Sequence, residues 1–317
     1  MNLCTDNPRC AEEWFPGSPA REWDFAAPLP GEFCEIAHRL LPTAPVATAS
    51  IELPRPWQFT VLVEHAARSQ FDVVVGMLRE GLAIPDGLLC LAGSGEGFHG
   101  QRGRAWAAVR GNLHLSIFLS PGRHLNDIAM GLTVLPAVSL VQTLDSIPGL
   151  RHRAGIRWVN DIVIDGSKLA GYLVHTQSSA GLVTGAVVGI GLNVEAVPPV
   201  QPTVFVPSVT SLRDHVSDRS VCSLPDVLRR LLRVLALNYE KLISGDGGEL
   251  LEFYRERSVV VGRRVEVYPD REGRTIDRSA AGVVAAIGDR LELILAGGGR
   301  PVSGGRIVMQ SGVGSAF

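Results

Sequence analysis

The chain of 317 residues is 46% apolar, enough to build a substantial core for one large domain and a smaller one. Its 30 basic and 32 acidic residues leave a formal net charge of −2, which excludes wholesale electrostatic binding of nucleic acid or anionic membranes and requires any basic site to be local. Five cysteines (Cys4, Cys10, Cys34, Cys90, Cys222) are an odd number without a C-x-x-C pair, so neither a disulfide framework nor a zinc site is expected, and a reducing cytoplasm fits.

The N-terminal MNLCTDNPRC has no basic segment followed by an apolar run, so it does not read as a signal peptide. Residues 1–55 are broken by FPGSP, APLPGE, LLPTAPV and ELPRPW, and read as an irregular, Pro-rich extension. With no pair of helices around a turn, no helix-turn-helix DNA reader is expected there. From Trp57 the pattern changes: FTVLV predicts a short strand, SQFDVVVGMLREG a helix stopped by glycine, and LLCLAG a strand leading into GFHGQRGRAW, Gly97 to Trp106. NLHLSIFL then alternates like a half-buried strand. The apolar run IAMGLTVLPAVSLV, Ile128 to Val141, is too short to span a bilayer and carries Pro136, so it reads as a buried helix.

The stretch from Ile156 to Val194, IRWVNDIVIDGSKLAGYLVHTQSSAGLVTGAVVGIGLNV, predicts three successive strands in an antiparallel meander, turning at Asp165-Gly166 and at Ser178 to Gly181. A long amphipathic helix follows, with Ser223 as N-cap, Pro225 in the first turn, and Val227, Leu231, Leu232, Leu235 and Tyr239 along one face. GELLEFYRER predicts a second, shorter helix. Beyond about Ser258, RVEVY, GVVAAI, RLELIL and RPVSGGRIVM are short strands separated by glycine and charge, as in a small separate barrel.

Three constellations stand out. The glycine-arginine loop is tethered at both ends by buried segments, which favours a ligand lid over a free RNA-binding segment; an ordinary turn anchored by Trp106 accounts for the same residues. In IRWVNDIVIDGSKLAG, the hairpin brings Asp161 and Lys168 near one another, as a magnesium nucleotide site requires or as a surface ion pair worth under ~1 kcal/mol allows. Lys168 and Lys241 are the only lysines among the 30 basic residues, which marks Lys168 as a place where a compact ammonium is wanted. In GIGLNV, Gly189 to Val194, the glycines expose backbone to a ligand or mark a bulge.

Taken together, in this order and spacing, these segments resemble the biotin protein ligases, within the wider biotin and lipoate ligases. GQRGRAW is similar to the later part of the family's lid, RGNLHLSIFL to the strand after it, IRWVNDIVIDGSKLAG to its K-W-P-N-D and K-L-A-G segments, VVGIGLNV to its G-I-G-I-N strand, and PSVTSLRDH to its T-S-L segment. The resemblance runs from about Trp57 to the end. It implies an α+β fold of the class II synthetase and biotin ligase type, a mixed sheet with helices over 56–257, followed by an SH3-like β-barrel over 258–317, with no DNA-binding domain.

The implied reaction is ATP-dependent: the acid, biotin in the family, forms an acyl-adenylate with release of pyrophosphate, and a lysine of a carboxyl-carrier acceptor domain then displaces AMP. A ligase for lipoate or octanoate, or a non-catalytic ligand-binding homologue, are the alternatives. By the same resemblance Lys168 bridges carboxylate and α-phosphate, assisted by Arg102 and Arg104. Asp161 would hold Mg2+ and Asn160 the adenylate, Trp106 would lie beside adenine, Asn193 would face it, and Arg157 would touch phosphate. Gly100, Gly103, Asn112, Gly171, Gly189 and Gly191 complete the expected nucleotide- and acid-binding set. The partners implied are the carrier domain, ATP and the acid, with no DNA or membrane, in the cytoplasm, and with room for a homodimer. Two departures bear on the acid: the leading lid arginines are His99 and Gln101, and where the family has D-S-T-N hydroxyls this chain has EHAARSQ, Glu64 to Gln70.

Overall fold

In a computed structural model, residues 2–16, 23–24, 29, 31–41, 46–270 and 278–310 are described. Most of the FPGSP and APLPGE segments lie outside them. The frame is a nine-stranded mixed sheet. Its strands are β1 (Leu3–Thr5), β2 (Ala47–Ala49), β3 (Phe59–Ala66), β4 (Leu88–Gly95), β5 (Leu113–Leu119), β6 (Ala154–Arg157), β7 (Asp161–Ile164), β8 (Ser167–Ser179) and β9 (Leu182–Leu192). Their order is β2-β1-β3-β4-β5-β9-β8-β7-β6, with β1, β3 and β4 mutually parallel and the other pairings antiparallel.

Alternation along the central strands divides the core. In β4, Leu88, Cys90 and Ala92 face one side while Leu89 and Leu91 face the other. The first side is covered by α2 (Gly31–Leu40) and α3 (Gln70–Arg79), the second by α1 (Pro8–Trp14), α4 (Leu125–Asp145), α5 (Leu224–Ser244) and α6 (Gly248–Glu256). Helix α4 is long and apolar enough to cross a membrane by composition; here it is buried between the sheet and α5 and α6, in keeping with the sequence reading. Helix α5 begins as predicted: the Ser223 hydroxyl accepts from Asp226 N, Pro225 sits in the first turn, and Val227, Leu231, Leu232, Leu235 and Tyr239 are buried.

Two expectations are corrected. The first 55 residues are not an irregular extension throughout. Strand β1 slots between β2 and β3, Asn7 caps α1 with Pro8 at its first position, and Ile36, Ala37 and Leu40 of α2 sit in the core beside β3. Pro8 suits the first helical position it occupies, and elements this short do not show in composition. The meander has four strands rather than three, because Trp158 to Asn160 form a turn that splits off β6. The tail is a four-stranded antiparallel sheet, ordered β12-β11-β10-β13, from β10 (Arg264–Tyr268), β11 (Ala280–Ile287), β12 (Leu293–Leu295) and β13 (Arg306–Met309).

The meander turns follow the two-residue rule: Asp165-Gly166 (φ 49° and 81°) and Ala180-Gly181 (φ 49° and 79°) are left-handed at both central positions. The 158–160 turn is clamped between body and tail. Trp158 Nε1 donates to the Leu291 carbonyl (2.6 Å), and the Val159 carbonyl accepts from the hydroxyls of Tyr172 (3.0 Å) and Tyr254 (2.8 Å). The residue that follows this turn, Asp161, is thereby fixed. All five cysteines are free thiols, and Cys4, Cys10, Cys90 and Cys222 are buried.

Candidate functional site

A cavity of about 360 Å³ opens at one end of β5, β9, β8 and β7, within the size range of small-molecule sites. At its inner wall Asp161 lies between two cations. Its Oδ1 is 2.5 Å from Lys168 Nζ, and its Oδ2 is 2.8 Å from Arg157 Nη2. The topology dictates this: Arg157 pairs with Asp161 across β6 and β7, and a register shift after Ile162 brings Lys168 of β8 to the same corner. Burial pushes the Asp161 carboxyl up, but Lys168 and Arg157 overrule it and hold it below the usual carboxylate range. Two cations and one carboxylate leave a net charge of +1, suited to phosphate or carboxylate oxygens.

Opposite this corner stands Trp106, its ring centroid 5.7 Å from Lys168 Nζ. Trp106 presses on β9 at Gly191, where an added Cβ would lie 2.4 Å from the indole. Only glycine lets the ring sit there. Gly191→Val is therefore expected to expel the indole and cost about 1–3 kcal/mol of stability by overpacking. Thermal melting checks this, and an unchanged midpoint contradicts the packing. Behind the indole His114 is buried and its pKa falls to about 4; Nε2 donates to the Val109 carbonyl (3.0 Å), and neutral Nδ1 accepts from Trp106 Nε1 (3.4 Å).

The loop predicted as a lid folds into a small hairpin. Gly100 N donates to the Arg104 carbonyl and Trp106 N to the Phe98 carbonyl. His99, in place of a leading arginine, is anchored to α3: Nε2 meets the Asp72 carboxylate at 2.9 Å and Nδ1 the Gly100 carbonyl at 3.0 Å. Both partners only accept, an arrangement that favours the doubly protonated ring, and the Gly100 carbonyl followed by Asp72 raises its pKa. Positive charge at this position is therefore directed at Asp72 rather than at the cavity.

Of the residues expected from sequence, Gly100, Arg104 and Trp106 line the cavity from the loop; Asn160, Asp161, Lys168 and Gly171 line it from the meander; Gly189, Gly191 and Asn193 line it from β9 and its end. At Gly171 an added Cβ would stand 3.4 Å from Lys168 Nζ, so glycine keeps the ammonium's face open. Asn193 Nδ2 donates to the Thr210 carbonyl (3.0 Å), while its buried Oδ1 has no hydrogen-bond partner.

Four expected residues stand elsewhere. Arg102 is 69% exposed and turns toward Asp270 (3.7 Å), and Gly103 sits on the outer side of the same turn. Arg157 is buried behind Asp161 and orients it rather than lining the wall. Asn112 is consumed structurally, its Oδ1 accepting from the backbone N–H groups of Val194, Glu195 and Ala196 and its Nδ2 donating to the Ala196 carbonyl. Asp161, expected to hold Mg2+, lines the cavity as part of this ion-pair corner. Both its oxygens are engaged by cations, and no group of three His, Cys, Asp or Glu side chains among the described residues could hold a metal.

Sequence reasoning missed the far wall. Phe71 of α3 packs on Gly189, Phe98 stacks edge-on against His114, and the segment 198–209 returns beside Lys168, whose N–H donates to the Ser208 carbonyl. Gly305, Arg306 and Ile307 of the tail also reach the cavity.

The profile of the biotin/lipoate A/B protein ligase family matches residues 82–193. A biotin–[acetyl-CoA-carboxylase] ligase of Mycobacterium tuberculosis is 31% identical over 230 residues, covering 68% of this chain and 76% of that protein. A bifunctional ligase/repressor BirA of Bacillus subtilis is 32% identical over 136 residues, 43% of this chain and 41% of that protein, so the chain spans less than half the length of that relative. In fold, the chain is similar to a biotin protein ligase from Aquifex aeolicus in complex with biotin and ATP, at a TM-score of 0.58 and 18% identity, covering 80% of this chain and 99% of that one.

Proposed function

The chain belongs to the biotin/lipoate A/B protein ligase family, and from that premise we propose that it activates biotin with ATP and transfers the biotinyl group to a lysine of a carboxyl-carrier domain. The observation that carries the reading is the corner of Asp161, Lys168 and Arg157, a net positive charge on a cavity wall facing Trp106. In the first step a biotin carboxylate oxygen attacks the α-phosphorus of ATP, the bond to the β-phosphate oxygen breaks, and pyrophosphate leaves. In the second the acceptor amine attacks the acyl carbon, loses a proton, and AMP departs.

Neither step needs a strong acid or base from the protein. Both need positive charge where oxygens crowd, and exclusion of water. Lys168 Nζ supplies the charge between carboxylate and α-phosphate, Arg157 holds Asp161 so that the ammonium is aimed, and Gly171 leaves its face uncovered. The orphaned Oδ1 of Asn193 is an acceptor suited to the adenine amino group, and Trp106 offers the base a flat face. Magnesium belongs to this reading as part of the substrate, carried on the phosphates of ATP. The four-stranded tail is read as an SH3-like barrel closing one side of the cavity.

The similarity to a biotin–[acetyl-CoA-carboxylase] ligase speaks for biotin rather than lipoate or octanoate. Pyrophosphate release from magnesium ATP, compared across biotin, lipoate and octanoate, tests this: release with biotin is expected. Release with none of the three, despite measurable binding of an acid, would sink the ligase reading.

A further inference from the structure

The cations around the cavity are not equivalent. Lys168 and Arg157 share Asp161, Arg102 turns to Asp270, and Arg104 Nε donates to the Gln101 carbonyl. Arg306 differs. It begins β13 opposite Tyr268 of β10, and its guanidinium lies 3.6 Å from the centroid of Phe205 in the 198–209 segment. Phe205 is in turn held edge-on by Tyr268 at 5.6 Å, so the platform under the arginine is fixed on two sides. Its Nε is buried without a hydrogen-bond partner, and no carboxylate among the described residues pairs with it. Burial, then Arg104, lowers its pKa from the ordinary arginine value against the weaker attraction of Asp270 and Asp161, and an arginine stays charged at neutral pH.

Two guanidinium groups facing one cavity, one of them with an unused buried donor, are a repulsive arrangement that a multivalent anion relieves. The planar fork of arginine matches phosphate oxygens two at a time, whereas the proposed function already gives the acid's carboxylate to Lys168. We propose that Arg306 is a polyphosphate-binding residue, through which the C-terminal sheet supplies to the departing pyrophosphate end of the nucleotide the free positive charge that Gln101 and the Asp72-bound His99 no longer provide. This rests on the nucleotide reading above for the identity of the anion. It makes the tail sheet part of the reaction pocket, stacked in place by Phe205 before any ligand enters.

Calorimetric titration with inorganic pyrophosphate and with magnesium ATP tests it on the full chain. Arg306→Met keeps the stem over Phe205 and removes the charge; its dissociation constant for pyrophosphate is expected to rise on the order of 10- to 100-fold. In biotin-dependent pyrophosphate exchange, KM for ATP rises while KM for biotin stays at the parent value. Arg306→Lys recovers part of the pyrophosphate affinity, which an arginine acting only as packing for Phe205 would not allow. Pyrophosphate binding by Arg306→Met within twofold of the parent overturns the proposal, as does equal loss for the lysine and methionine variants. If the methionine variant does not fold, Arg306→Gln is read in the same way. A parent chain that binds pyrophosphate but exchanges it with no acid refutes the ligase reading and leaves this proposal standing on the titration.

Discussion

Lys168→Ala is expected to lower the rate of acyl-adenylate formation by about 10²–10³-fold while leaving the fold intact, the size of effect seen when one preorganised charge stabiliser is removed. The two halves of that result have separate causes. The ammonium lies 5.7 Å from the centroid of the Trp106 ring, and the open face left by Gly171 directs it to the cavity. The fold does not depend on it, because Asp161 keeps Arg157 at 2.8 Å after the truncation and no carboxylate is stranded. Lys168→Arg is not expected to restore the rate: a guanidinium is broader and cannot take the place of a point charge 2.5 Å from Asp161 Oδ1. Single-turnover adenylation together with thermal melting checks the pair of expectations. Activity of Lys168→Ala within tenfold of the parent would show the central charge to be misassigned.

Asp161→Ala is expected to act the other way, on stability before activity. Arg157 and Lys168 are only 9% and 18% exposed at their side chains, and removing the carboxylate leaves two cations facing each other with little water. Breaking a buried pair by deleting one partner costs about 3–5 kcal/mol, and the partial exposure of Lys168 places the expectation near the lower end. Urea unfolding at neutral pH is the measurement; a change under ~1 kcal/mol would mean that the corner contributes no net stability. Because the folded carboxyl titrates below its unfolded value of about 4, its contribution is complete above that pH and is lost as pH falls through the lower folded value. The gap between parent and Asp161→Ala should therefore close at the acid end.

Much of this corner was legible in the sequence because its signals are local. The Asp165-Gly166 turn fixes the β7–β8 hairpin, and seven residues of separation then suffice to bring Asp161 and Lys168 together. The capped start of α5 and the apolar run of α4 were equally local. What escaped depends on pairings between distant segments. Strand β1 is three residues long and gains its place only from β2 and β3, more than forty residues on, although Asn7-Pro8 already spelled a helix start. Asn112 looked free for a ligand until the chain returned at 194–196 to use its amide. Arg157 looked like a wall residue, and pairing across β6 and β7 put it behind Asp161. Nothing near Arg306 hints that Phe205, about a hundred residues earlier, is its platform.

The buried thiols turn these layers into something that can be clocked. Burial pushes Cys4 up to about 12 and Cys10 up to about 11, and raises Cys90 further still, so in the closed molecule these sulfurs are neither ionised at neutral pH nor reachable. Each belongs to a different piece: Cys4 to β1, Cys10 to α1 and Cys90 to β4 at the centre of the sheet. Alkylation at each position therefore proceeds only as fast as that piece comes away, and the order in which the three sulfurs are modified ranks the late-recognised N-terminal elements against the middle of the sheet in the free energy of local opening.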